Sequence, residues 1–283
     1  MGWVLWFLFV GLAVGAQASA QEVRAMSLSG MAEWALAEAH PEQVVWLNLA
    51  GDARALSLFQ AELVTPGRGA LIVLANEGQN ADEGLLGPLR RAMAERGVAV
   101  MTLGLGAAPE KLRRSRQQVL AVSPVQPRAS EPSSVMIDVG EVEGGVQDVS
   151  SYLANVRHVL DAAFEALENQ GYERIAVAGV GWSAEHVTDW ALGRDTLAGV
   201  VWLAPKFSAE QRSGLPGLLE TERAWRVLDL HGASQRAEGQ ERAAALGRQQ
   251  VQGYQRQLLA LENPPRFADA ERVASRISAW LGR

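Results

Sequence analysis

The chain has 283 residues, 48% of them hydrophobic and 20% charged, with no cysteine, four histidines and a formal net charge of −6. That length suffices for one domain with a sizeable core, and the negative balance argues against nucleic acid, whose phosphates call for a basic face. Lack of cysteine removes disulfides, thiolate zinc sites and cysteine nucleophiles, and with only Lys111 and Lys206 there is little scope for lysine-based covalent chemistry.

Residues 1–20 carry no charged side chain, and 3–14 are strongly apolar. Ala16-Gln17-Ala18 and Ala18-Ser19-Ala20 supply small-x-small patterns. This predicts a secretory signal peptide cut near Ala20, and hence export, to the periplasm. The segment has no Lys or Arg ahead of its apolar run; were it retained, it would act as a membrane anchor. The run is short against the ~20 residues of a bilayer span. The remainder, 21–283, reads as one domain without a second spanning run.

Within that domain strands and helices alternate. Residues 44–49 and 55–63 flank Ala50-Gly51-Asp52, a turn signal that predicts an antiparallel hairpin. Residues 70–75 (ALIVLA) form a continuous apolar run, as a strand covered on both faces would. A helix is predicted over 85–96 and a strand over 98–103. A long amphipathic helix (151–168) precedes a strand (174–178), a helix (184–192) and a strand (197–203). Further strands fall at 226–230 and 257–261, separated by a helix at 236–249. A closing helix spans 268–281, apolar at Val273, Ile277 and Trp280. A hairpin followed by β-α repeats implies an α/β fold: a mostly parallel sheet with helices on both faces.

Residues 104–148 break the rhythm. They contain Pro109, Pro124, Pro127 and Pro132 and then acidic Asp138, Glu141, Glu143 and Asp148. A long insertion or loop is predicted there. The acidic residues are not in calcium-loop register and read as a solvated face.

In a parallel sheet the ligand crevice lies beyond the C-terminal strand ends. Three turns fall there: Ala75-Asn76-Glu77-Gly78-Gln79, Gly179-Val180-Gly181-Trp182-Ser183, and His231-Gly232-Ala233-Ser234-Gln235. The order of elements and these turns resemble the α/β-hydrolase fold. More narrowly, the chain is similar to an exported bacterial family of hydrolase-like proteins of unknown function. The resemblance runs from about Val44 to Leu281 and is carried by GALIVLANEGQNADEGLLGPLRRAMAERGVAVMTL, RIAVAGVGWSA, RVLDLHGASQ and the closing helix.

The catalytic members of such a fold place a nucleophile at the centre of G-x-S-x-G, on a sharp strand-to-helix turn. Here the centre is Gly181, and Ser183 stands where the second glycine belongs. By the same resemblance the triad acid position is Gln235. The histidine position falls in Glu262-Asn263-Pro264-Pro265-Arg266-Phe267, where Arg266 is the nearest match. No histidine follows His231. The oxyanion turn corresponds to Asn76-Glu77-Gly78. All three triad roles therefore read as vacant, and a triad needs a base and an orienting acid as well as a nucleophile.

Two other arrangements compete. Ser183 with His186 or His231 would give a relocated esterase-type constellation, since residues three apart on a helix are neighbours. The simpler expectation makes Ser183 the helix N-cap and His231 a structural or crevice-lining residue. Alternatively, Gly179-Val180-Gly181-Trp182-Ser183-Ala184 fits G-x-G-x-x-A. A dinucleotide site is disfavoured: the motif lies far along the chain, and no acid ends the following strand, Val201-Trp202-Leu203-Ala204-Pro205. Among the tryptophans, Trp182 and Trp202 are candidates to line a pocket, whereas Trp34, Trp46, Trp190, Trp225 and Trp280 read as packing residues. His158 is expected on the long helix, partly exposed, and His40 in a loop before Pro41.

The sequence thus predicts an exported non-catalytic binding or interaction protein on an α/β-hydrolase-like scaffold. Its crevice is expected at Asn76, Glu77, Gly78, Gly179, Gly181, Trp182 and His231. No cofactor and no metal are expected. The expected partner is a small molecule or an envelope protein, with membrane contact only through a retained N-terminal segment.

Overall fold

A computed structural model describes residues 33–120, 149–220 and 225–282. The predicted signal segment, its cleavage point and the acidic run from Asp138 to Asp148 lie outside the described residues.

The chain enters through a short helix, α1 (Glu33–Ala39), and the hairpin β1 (Val44–Asn48) and β2 (Arg54–Gln60). Then come β3 (Ala70–Leu74), α2 (Leu86–Ala94), β4 (Ala99–Leu103) and α3 (Glu110–Leu120). The long helix α4 (Val149–Asn169) leads to β5 (Ile175–Val180), α5 (Ser183–Ala191) and β6 (Gly199–Leu203). The remaining elements are α6 (Ala209–Glu220), β7 (Arg226–His231), α7 (Arg236–Arg248), β8 (Tyr254–Leu258) and α8 (Ala270–Leu281).

The strands form one sheet in the order β1-β2-β4-β3-β5-β6-β7-β8. β1 pairs antiparallel with β2, and β2 with β4; from β4 to β8 every pairing is parallel. The predicted mixed sheet and N-terminal hairpin are therefore present. β3 (ALIVL) is buried at every position, as are β4, β5 and β6. Alternation across β3 sends Ala70, Ile72 and Leu74 to one face, with α4 and α5, and Leu71 and Val73 to the other, with α2 and α8. Apolar runs rather than alternating ones are what such double cover requires.

β3 is flanked by β4 on one side and β5 on the other. Connections leave in opposite directions at that point, which opens a crevice beyond the strand ends. The turns after β3 and β5 line its two sides.

Several elements differ from expectation. α1, α3 and α6 were not predicted. α3 shows that the predicted long loop begins with an ordered helix, one residue after Pro109. The last strand lies at Tyr254–Leu258, three residues before the predicted 257–261, because the β7–β8 register pairs Val227 with Tyr254. Trp34 is not a core residue: it is 60% exposed and packs against Trp46, with ring centroids 5.8 Å apart. Trp202 does not line a pocket; it is fully buried, and its indole N–H donates to Thr188 Oγ1 at 2.8 Å. Trp190, Trp225 and Trp280 are buried as expected. His158 is exposed on α4. His40 lies in the α1–β1 loop, 3.2 Å from Asp82. No helix among the described residues is long and apolar enough to cross a membrane.

Candidate functional site

The turn after β5 is built around two glycines with different reasons. Gly179 leaves no room for a side chain: an ideally placed Cβ there would overlap the Ser183 carbonyl of α5. Gly181 has φ +59°, a left-handed conformation that costs any residue with a Cβ. A Cβ on Gly181 would also overlap Asn76 Oδ1 and come within 3.0 Å of Asn76 Cγ. The Asn76 carboxamide therefore fills the space a side chain at the centre of this elbow would enter. Asn76 Oδ1 accepts the Trp182 backbone N–H at 3.0 Å, joining the β3 turn to the β5 turn. The Gly181 N–H donates to the Leu203 carbonyl, and its own carbonyl accepts from the Lys206 N–H, both at 2.9 Å.

Ser183 is not the N-cap of α5. Trp182 occupies that position without a side-chain hydrogen bond, and Ser183 is the first helical residue. It is fully buried, and its hydroxyl donates to the Ala75 carbonyl at the end of β3. The bond fastens the helix start to the neighbouring strand.

Glu77 sits at the centre of an ionic cluster. Its carboxylate accepts both contacts of Arg116 Nη1, at 2.9 and 2.7 Å, and one from His186 Nε2 at 2.9 Å. The side chains of Glu77, Arg116 and His186 are 8%, 5% and 3% exposed. Burial alone would raise the Glu77 carboxyl, but the His186 hydrogen bond and the Arg116 charge outweigh it and hold the group below its ordinary 4.5. Arg116 also stacks over Trp182, 4.1 Å from the ring centroid, and approaches Glu185 at 3.6 Å. Tyr152 of α4 lies edge-on to His186, its hydroxyl pushed far above its usual range by burial and by Glu77. α3 is thus attached to the elbow chiefly through one ion.

His231 lies elsewhere. It is fully buried beneath α7, where a Cβ on Gly239 would come within 2.6 Å of its Nε2. Its Nδ1 is 3.4 Å from Asp229 Oδ1, and among the described residues neither ring nitrogen has a partner within hydrogen-bond geometry. Asp229 is held mainly by Arg242 and by the Tyr254 hydroxyl at 2.8 Å. Ser183, His186 and His231 thus face different partners, the Ala75 carbonyl, Glu77 and Asp229, and neither imidazole hydrogen-bonds to Ser183 among the described residues. Gln235 is buried and donates to the Pro205 carbonyl at 3.0 Å. Arg266 is exposed and pairs with Glu262 at 2.9 Å.

Two chambers lie at the strand ends. One, of about 370 Å³, is walled by Asn76, Glu77, Arg113, Arg116, Trp182 and Lys206. The other, of about 270 Å³, continues past Trp182 and Lys206 toward α6 and α7. Of the residues expected to form the crevice, Asn76, Glu77 and Trp182 line it. Gly78 shapes the β3 turn with φ +81°, while Gly179 and Gly181 are buried in the elbow and His231 stands outside both chambers. Among the described residues no three His, Asp or Glu side chains cluster as a metal site would. Sequence reasoning missed Arg116, Tyr152, Phe207, Arg212 and the placement of Lys206. The last had a readable signal: one of only two lysines falls just after a buried strand.

Solved structures resemble this fold over most of its length. The esterase domain of a Rhodothermus marinus protein has a TM-score of 0.53 at 14% identity, covering 85% of this chain and 97% of that one. Dienelactone hydrolase from Anabaena variabilis has a TM-score of 0.55 at 12% identity, over 84% and 97%. Est1E from Butyrivibrio proteoclasticus has 0.53 at 11%, over 85% and 98%. At these identities the likeness is one of fold, and function resides in the site. No curated protein matches the chain. The family described as "Protein of unknown function (DUF3530)" matches residues 14–283, nearly the whole length, and the chain, whose fold is α/β-hydrolase-like, belongs to it.

Proposed function

We propose that this chain is an exported, non-catalytic binding protein on a hydrolase scaffold, taking a small molecule in the crevice beside Trp182. The observation that carries the reading is the elbow. Gly181 offers no nucleophile, and Asn76 occupies the space in which one would project. The other two triad positions support it, since Gln235 and Arg266 are engaged with Pro205 and Glu262. His186 and Glu77 form a base–carboxylate pair, but no serine or threonine hydroxyl bonds to that histidine among the described residues. A general base without a proton to take performs no acyl transfer.

The second reading, an esterase using Ser183 with His186 or His231, draws support from the scaffold alone. Ser183 directs its hydroxyl at a backbone carbonyl. The two readings separate in one experiment: incubation of the purified chain with a serine-reactive fluorophosphonate and with short-chain p-nitrophenyl esters. The binding reading expects neither labelling nor turnover. Labelling that disappears in Ser183→Ala would establish the esterase instead.

A further inference from the structure

The chamber beyond Trp182 is lined by charged groups that have no ion-pair partner among the described residues. Gln235, also in its lining, is 3% exposed, and its Nε2 donates to the Pro205 carbonyl. Lys206, Arg212 and Glu238 share the same wall. Among the described residues neither cation has a carboxylate within ion-pair distance, and Glu238 has no cation. Arg242, also in the wall, is already committed to Asp229. Two apolar surfaces complete the chamber: Trp182, and Phe207, which is 6% exposed and packs edge-on to Trp202. At about 270 Å³ it falls just below the roughly 300–1,000 Å³ of ordinary small-molecule sites, which restricts it to small ligands.

Opposite charges that line one chamber without neutralising each other, together with an aromatic lining, describe one ligand chemistry. We infer that this chamber binds a small zwitterion with an apolar body, an α-amino acid of the phenylalanine or leucine type. Its carboxylate meets Lys206 and Arg212, its ammonium meets Glu238, and its side chain lies against Trp182 and Phe207. The inference rests on the binding reading above and names the class of ligand.

Calorimetric titration of the purified full chain tests it with three probes: L-phenylalanine, 3-phenylpropionate, which lacks the ammonium, and phenethylamine, which lacks the carboxylate. L-phenylalanine is expected to bind, and each truncated probe to bind at least about tenfold more weakly, the loss of one charge-assisted contact. Lys206→Gln and Arg212→Gln should each weaken L-phenylalanine by a similar factor, and Glu238→Gln should weaken it while leaving 3-phenylpropionate unchanged. All three positions are at least partly exposed, so the variants should keep the wild-type circular dichroism. Failure of a folded chain to bind either L-phenylalanine or L-leucine overturns the inference, and so does 3-phenylpropionate binding as tightly as L-phenylalanine. Ester turnover would instead overturn the non-catalytic reading, and it is measured separately.

Discussion

Asn76 and Gly181 occupy complementary space: the carboxamide of one stands where the side chain of the other would begin. The same Asn76 oxygen accepts the Trp182 N–H, so one polar atom joins the turn after β3 to the turn after β5.

Gly181→Ser should therefore destabilise without conferring activity. A side chain at φ +59° costs about 1–3 kcal/mol, and the overlap with Asn76 adds to it. The melting temperature should fall and p-nitrophenyl ester hydrolysis should stay at background. In the double variant with Asn76→Gly the steric part is relieved, so the two changes should be clearly non-additive. Additive losses would show that Asn76 does not fill this space.

Arg116 is the second lever. Arg116→Ala would leave the Glu77 carboxylate buried beside His186 alone, and removing one partner of a buried pair typically costs about 3–5 kcal/mol. Urea unfolding should show a lower midpoint, and limited proteolysis should cut within α3 before it cuts elsewhere. An unchanged cleavage pattern would mean that α3 is held by other contacts.

Two carboxylates give opposite pH dependence. Glu77 is held below 4.5 in the folded chain; its contribution is present above that value and is lost as pH falls through the lower folded value. Glu33 behaves in reverse. Burial pushes its carboxyl up to about 7, against the Leu56 N–H that it accepts at 3.3 Å. The native chain then binds more protons than the unfolded one, so this contribution is full below 4.5 and declines as pH rises to about 7. Denaturation midpoints across pH 4–8 should show the second trend shrink in Glu33→Gln, and midpoints followed below pH 4.5 should show the acid-side loss shrink in Glu77→Gln.

His231 is tested through its neighbour. A methyl group at Gly239 would crowd the imidazole, with approaches of 2.6 to 3.0 Å, and such overpacking costs about 1–3 kcal/mol. Gly239→Ala should lower the melting temperature with no change in ligand affinity. A change in affinity at constant stability would place His231 in the binding site.

The parts of the fold that could be read from sequence are those held by apolar periodicity. β3 and β5 announce themselves as unbroken apolar runs, and the hairpin by its Ala50-Gly51-Asp52 turn. α3 is different: the stretch Glu110–Leu120 is dominated by charged and polar residues, and Arg116, buried against Glu77, anchors it alongside a single leucine, Leu112, that packs on the core among the described side chains. Hydrophobic pattern cannot detect a helix held by an ion pair across a cleft. α6 was concealed by Gly214, Pro216 and Gly217, although Leu215 and Leu219 are buried one turn apart. At the site, Asn76, Glu77 and Trp182 were legible because turn position alone puts them at the strand ends. The pairing of Glu77 with Arg116, 39 residues away, depends on tertiary geometry that one sequence does not display.

The N-terminal expectation has its own measurement. Amino-terminal sequencing of the chain recovered from the periplasm should begin at Gln21. Recovery in the membrane fraction with residues 1–20 still attached would replace processing with anchoring.

The interlock of Asn76 with Gly181 also constrains how this surface can change over generations. A serine arriving at 181 first meets a filled space, whereas loss of the Asn76 carboxamide first releases the Trp182 N–H. Either single step passes through a weakened form, so the two positions are expected to drift as a pair, and a chain carrying one replacement should carry a compensating one at the other.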